Sequence, residues 1–201
     1  MSAAFFDLMR NVLTAQYLRV NDRSTSRERV NLRERVRLED GKRKEYTVRM
    51  PFEGDAFTVK LDINGGSNPP LYHFLMENDG RPWAKRCDFV VFHRLPSAIY
   101  CYLFEFKSNY INAVDIAAQL DSGVGWLNSF HRILHNYTSE TFPLAVQKFA
   151  LTANRDLGPF VDETGKYLKH DPTVRLYHYQ ELTDLNLADL ENRHVMEFRC
   201  Q

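Results

Sequence analysis

Apolar positions change period along this chain, and the sharpest change lies between residues 88 and 107. Phe89-Val90-Val91-Phe92 follows Asp88, and Ile99-Tyr100-Cys101-Tyr102-Leu103-Phe104 leads into Glu105-Phe106-Lys107. Leu95-Pro96-Ser97 lies between the runs, so two strands are predicted, Asp88 to Phe92 and Ala98 to Lys107. After them, Ile116, Leu120, Leu127 and Leu134 mark one stripe of a long helix, about Asn112 to Asn136. Gly123 and Gly125 weaken its middle. Before them, Phe6, Met9, Val12, Leu13 and Tyr17 fit a helix within Ala3 to Val20.

The remaining pattern is mostly strand-like. Tyr46 to Met50 and Ala56 to Ile63 read as strands joined through Pro51 and Gly54. Between Val30 and Leu38 the apolar positions suit a helix or a strand equally. Asn64 to Pro70 is a loop, and Leu71 to Met76 a short apolar segment. Lys148 to Ala153 and Thr173 to Tyr179 have strand composition, and Leu185 to Glu191 suits a short helix. The order predicts an α/β fold with a mixed central sheet flanked by helices. One domain over residues 1–201 is expected, with an N-terminal helix and a basic segment (about 1–45) ahead of its core.

Composition fits a folded domain: 44% of residues are hydrophobic and 13% aromatic. No apolar run approaches the roughly 20 residues that cross a bilayer, so no membrane partner is expected. Asp7 and Arg10 interrupt the first apolar stretch, which does not read as a signal peptide. Cys87, Cys101 and Cys200 lack Cys-x-x-Cys spacing, which argues against a disulfide scaffold and for a cytoplasmic setting. Net charge is zero, yet Arg19 to Arg49 holds eleven Lys/Arg against six Asp/Glu. That segment suits either a polyanion or a solvated mixed-charge helix or linker.

The strand pair carries the candidate chemistry. Side chains alternate faces along a strand, so Glu105 and Lys107 share one face and Phe104 and Phe106 the other. If the strands pair as neighbours, Asp88 approaches Glu105. Two close carboxylates repel when ionised, and a divalent cation between them removes that penalty. Oxygen ligands suit Mg²⁺ or Mn²⁺, with the Phe106 carbonyl as a further ligand. Such an ion activates water and stabilises charge on a phosphate under attack. Lys107 would orient or help deprotonate the water, or compensate charge.

Asp88, then Glu105-Phe106-Lys107 on successive strands, then a long helix, resembles the PD-(D/E)xK nuclease superfamily. The resemblance covers about Lys85 to Leu134. Cys87 stands where the motif's name has proline. The resemblance implies a restriction-endonuclease-like core and a Mg²⁺-dependent endonuclease or exonuclease, with DNA as substrate in preference to RNA. Asp88 and Glu105 match the acids, Lys107 the lysine, and Gln119 on the helix would contact the site. A glutamate on an early helix is also implied, and Glu28, Glu34, Glu39 and Glu77 all qualify by position. A homodimer or partner subunit in a restriction, repair or phage-defence system follows from the same resemblance. The alternative is an inactive nuclease-like domain serving assembly or nucleic-acid binding. A third is an unrelated interaction domain, which would leave Asp88 and Glu105 far apart.

Other features read as structural. His131 and His135 share a helix face, but Arg132 stands where a zinc-protease helix has glutamate. Asn64-Gly65-Gly66-Ser67-Asn68 lacks phosphate-loop lysine spacing and reads as a turn. Tyr100, Tyr102, Phe104 and Phe106 could stack bases, though core packing against a helix explains them more simply. Cys101 has no activating histidine in the pattern and reads as buried.

Overall fold

The computed structural model describes residues 3–21, 28–37, 41–63, 84–108, 110–138, 142–182 and 184–199. Helix α1 (Ala3–Asn11) precedes β1 (Leu18–Arg19), the hairpin β2 (Arg29–Arg37) and β3 (Arg43–Pro51), and then β4 (Asp55–Lys60). Strands β5 (Phe89–Arg94) and β6 (Ile99–Lys107) lead to the long helix α2 (Ala113–Thr138). The chain continues through β7 (Leu144–Thr152), β8 (Val174–His178), 3-10 turns at Tyr179–Leu182 and Leu187–Asp189, and β9 (Met196–Phe198).

Seven strands form one mixed sheet in the order β1-β4-β5-β6-β7-β8, and β9 shares the edge of β7 that β8 occupies. Pairing is antiparallel from β1 through β6 and parallel across β6, β7 and β8. Parallel neighbours require a crossover, and α2 supplies it between β6 and β7. This is an α/β fold with a mixed central sheet flanked by helices, as the residue pattern predicts. Among the described residues no helix is long and apolar enough to cross a membrane.

Strand alternation gives the sheet two dry faces. On one, Val90, Phe92, Cys101 and Leu103 pack with Phe6 and Met9 of α1 and with Leu120 and Leu127 of α2. On the other, Phe89, Tyr102 and Phe104 lie beneath Val30, Leu32, Val48 and Met50 of the hairpin. The Tyr102–Phe106 stripe is therefore core, but a β-ribbon covers it rather than the expected helix.

Other expectations shift in similar ways. The first helix stops at Asn11, because Leu18 and Arg19 pair with Val59 and Thr58 at the edge of the sheet. Sheet pairing there outweighs the helical stripe that reached Tyr17. The ambiguous segment at Val30 is a strand, paired residue by residue with β3 from Arg29↔Pro51 to Arg37↔Arg43. The expected helix over Leu185 to Glu191 is only the turn Leu187–Asp189, capped by the Asn186 side chain. The loop at Asn64 to Pro70 and the segment Leu71 to Met76 lie outside the described residues.

Gly123 has a role that helix propensity alone hides. A Cβ there would stand 2.5 Å from Cys87 Sγ and 2.9 Å from a Leu103 methyl. The missing side chain lets α2 lie directly on the residue preceding Asp88. A Cβ at Gly125 would meet nothing within 4 Å.

Candidate active site

The antiparallel register pairs Phe89 with Phe104, one step short of Asp88 and Glu105. Beyond that step Asp88 bonds to both neighbours of Glu105. Its N–H donates to the Phe104 carbonyl at 3.0 Å, and its Oδ2 accepts from the Phe106 N–H at 2.6 Å. The acids are thus brought together at the end of β6, where the parallel strand turns toward α2. An arrangement that leaves them far apart is excluded.

Both acids are deeply buried, with Asp88 6% and Glu105 1% exposed. Lys107 Nζ donates to Glu105 Oε1 at 2.7 Å and to Gln119 Oε1 at 2.8 Å. Glu105 Oε2 is buried and accepts no hydrogen bond. All four residues predicted from the sequence therefore share one locus. N–H and C=O of a strand residue point to the same side. The Phe106 carbonyl, whose N–H meets Asp88, hence faces the Asp88 side of β6.

Electrostatics here disfavour ionised acids. Burial pushes the Asp88 carboxyl well above its usual range, and the charges of Glu105 and Glu34 add to the effect. Burial likewise raises Glu105 to about 7, with Asp62 and Glu34 adding and Lys107 opposing. Burial alone would lower Lys107, but Glu105 and Asp88 outweigh it and the ammonium is held protonated.

Of the upstream glutamates within the described residues, Glu28 and Glu34, it is Glu34 whose charge bears on Asp88 and Glu105, and it stands on a strand rather than the expected helix. It lies on β2 with the inward-facing Val30 and Leu32, and pairs with Lys60 Nζ at 2.5 Å. Period-two alternation over Val30, Leu32 and Glu34 was the signal available, once that segment is read as a strand. Glu28 instead accepts from the Asn21 side chain at 3.0 Å. Glu39 and Glu77 lie outside the described residues. Sequence reasoning also missed Lys60 and Tyr179. The Tyr179 hydroxyl donates to the Lys107 carbonyl at 2.9 Å, while its ring stacks on Tyr46 at 4.4 Å.

Polar ties hold α2 in rotation above these groups. Lys85 Nζ meets Asp115 at 2.8 Å, and the Ser122 hydroxyl donates to the Lys85 carbonyl. Lys148 Nζ on β7 meets Asp121 at 2.9 Å. Gln119 sits between these anchors, and so reaches Lys107.

The donor set fits a hard divalent cation. It offers two carboxylates, one with an unbonded buried oxygen, and a backbone carbonyl on the same side. Among the described residues no three His, Cys, Asp or Glu side chains converge as a complete cage. Mg²⁺ needs none, since it keeps several waters and binds through one or two carboxylates. The zinc-like pair is different: His131 is 1% exposed within the helix packing, and its pKa is lowered by burial.

Compared with protein-family models, curated proteins and solved structures, the chain matches none of them.

Proposed function

We propose that this protein is a metal-dependent nuclease of PD-(D/E)xK type, cleaving phosphodiester bonds in DNA in preference to RNA. The observation that carries the reading is the buried pair Asp88 and Glu105, both raised in pKa, with Lys107 paired to Glu105. Glu105 Oε2 is buried without a hydrogen-bond partner, and a bound cation would supply one. Asp88, Glu105 and the Phe106 carbonyl would hold Mg²⁺ or Mn²⁺, which when bound lowers the pKa of a coordinated water and polarises a phosphate oxygen.

The chain's own groups divide the remaining work. Lys107, kept protonated by the surrounding acids, compensates negative charge developing on the phosphate rather than removing a proton. Gln119 accepts one of its N–H bonds and fixes the ammonium toward Glu105. The hydroxyl of Tyr179 anchors the backbone of Lys107 from the opposite side.

Incubation of plasmid DNA and of RNA with Mg²⁺ or Mn²⁺ tests the proposal. Cleavage is expected with either ion, and its loss in Glu105→Ala and in Lys107→Ala. No cleavage of any nucleic acid, together with no Mn²⁺ binding by calorimetry, would leave the inactive nuclease-like domain as the better description.

A further inference from the structure

The hairpin places its charges on one side. Residues alternate faces along β2 and β3, and the register aligns Arg33 with Thr47 and Arg35 with Glu45. The face turned to the core carries Val30, Leu32, Val48 and Met50, all buried. Among the described residues, the opposite face of the two strands carries Arg29, Arg33, Arg35, Arg43 and Arg49 and one acid, Glu45. Arg33 and Arg35 share that single carboxylate at 3.4 and 3.2 Å, so positive charge remains in excess. Arg29 is engaged by Asp184 at 3.6 Å. Arg33, Arg35, Arg43 and Arg49 are exposed.

The ribbon also reaches the end of the sheet where the acids lie, on the face opposite α2. Its cross-strand pair Glu34↔Tyr46 is level with the end of β6: Glu34 bears electrostatically on Asp88, and Tyr46 stacks on Tyr179. From that pair the strands continue to Arg37↔Arg43, a further ~10 Å at strand rise. Residues 41–45 are exposed throughout.

We propose that the β2–β3 ribbon is a docking arm for double-stranded DNA, its arginine face seated against the duplex backbone and groove. The inference rests on the nuclease reading and names the form of its substrate. A two-stranded ribbon fits the ~12 Å major groove of B-DNA, whereas the A-form major groove is too narrow for protein side chains to read. Arginines supply bidentate phosphate contacts. Single-strand binders pair basic charge with exposed aromatic rings. Among its described residues the arginine face has none, and Tyr46 is turned inward onto Tyr179.

Fluorescence anisotropy of the full-length protein, in EDTA so that nothing is cut, measures this directly. The probes are a labelled 24-base-pair duplex, one of its single strands and an RNA duplex of the same sequence. The duplex DNA is expected to bind at least tenfold more tightly than either. Arg33→Glu/Arg35→Glu should weaken it tenfold or more, and the charge-neutral Arg33→Gln/Arg35→Gln several-fold. The slope of log affinity against log salt should fall by about 2, one for each lost phosphate contact. Lys169→Glu, at an exposed lysine outside the ribbon, should bind as wild type does. Equal affinity for single strand or RNA, or ribbon variants that bind like wild type while melting normally, would overturn the proposal. Mn²⁺ calorimetry separates the two readings. Ribbon variants should bind Mn²⁺ as wild type does, whereas failure of the nuclease reading would appear as absent Mn²⁺ binding with duplex affinity intact.

Discussion

Two lysines on adjacent strands meet the same helix with opposite outcomes. Lys148 of β7 is 4% exposed and lies between Asp121 at 2.9 Å and Asp171 at 2.5 Å. Burial alone would raise Asp171, but hydrogen bonds from Lys148 and Thr173 prevail and its pKa is lowered. Lys107 of β6 meets Glu105 and Gln119, and there the acids titrate high instead of low. Asp171 is 17% exposed at its side chain and Asp121 64%, so water shares their charge. Glu105 is 2% exposed at its side chain and keeps one oxygen unbonded. The first cluster holds the helix to the sheet. The second leaves one buried acid oxygen unbonded, the opening that the proposed cation would fill.

The largest expected effect breaks the structural half of this comparison. Lys148→Met removes the cation and leaves Asp171 facing a buried strand, at a cost of about 3 kcal/mol. Urea denaturation should show that loss at neutral pH. A midpoint unchanged from wild type would mean that Lys148 is not the clamp described. Arg175→Met is not an equivalent change, because Arg175 donates to the Lys166 and Leu176 carbonyls and, among the described residues, pairs with no acid.

The next effect has the opposite sign and sharpens the functional half. A carboxyl whose folded pKa is raised contributes stability that is complete below its unfolded value and is lost as pH rises through the folded value. For Glu105 that window runs from near 4.5 to about 7. The shift corresponds to about 3 kcal/mol. Metal-free protein should therefore melt lower at pH 8 than at pH 5, and millimolar Mn²⁺ should restore the loss at pH 8. In Glu105→Gln the pH slope should shrink and the Mn²⁺ effect should largely disappear. A melting temperature that is flat with pH and indifferent to Mn²⁺ would sink the reading of this pair as a cation site.

The two clusters were not equally legible in the sequence. Asp88, Glu105 and Lys107 stand at the ends of unbroken apolar runs, where a charge contradicts its surroundings, so strand alternation alone put two of them on one face. Gln119 was named only through the resemblance, since a glutamine on a helix is otherwise commonplace. Lys148, by contrast, sits in a strand pattern like many others, and its partners are a helix residue and a loop residue 23 positions downstream. Only the fold brings those together. Glu34 was a candidate without a ranking, because the charged spacing of β2 leaves helix and strand open until β3 pairs with it. Gly123 looked like a flaw in a helix until the sheet beneath it was present.

The smallest effect isolates what Gln119 contributes. Its Oε1 takes one of the three N–H bonds of Lys107, and the same ammonium keeps its bond to Glu105 without it. Gln119→Leu preserves most of the volume against α2's neighbours and removes only the acceptor. Lys107 is half-buried, so water can take the freed donor, and the stability cost should be about 1 kcal/mol. Cleavage at saturating Mn²⁺ should fall several-fold as the ammonium loses its fixed direction. Mn²⁺ affinity should not change, because Gln119 touches Lys107 and the predicted ligands are Asp88, Glu105 and the Phe106 carbonyl. A rate as low as that of Lys107→Ala would instead make Gln119 a direct participant in the reaction. A rate equal to wild type would mean that Glu105 alone aims the lysine.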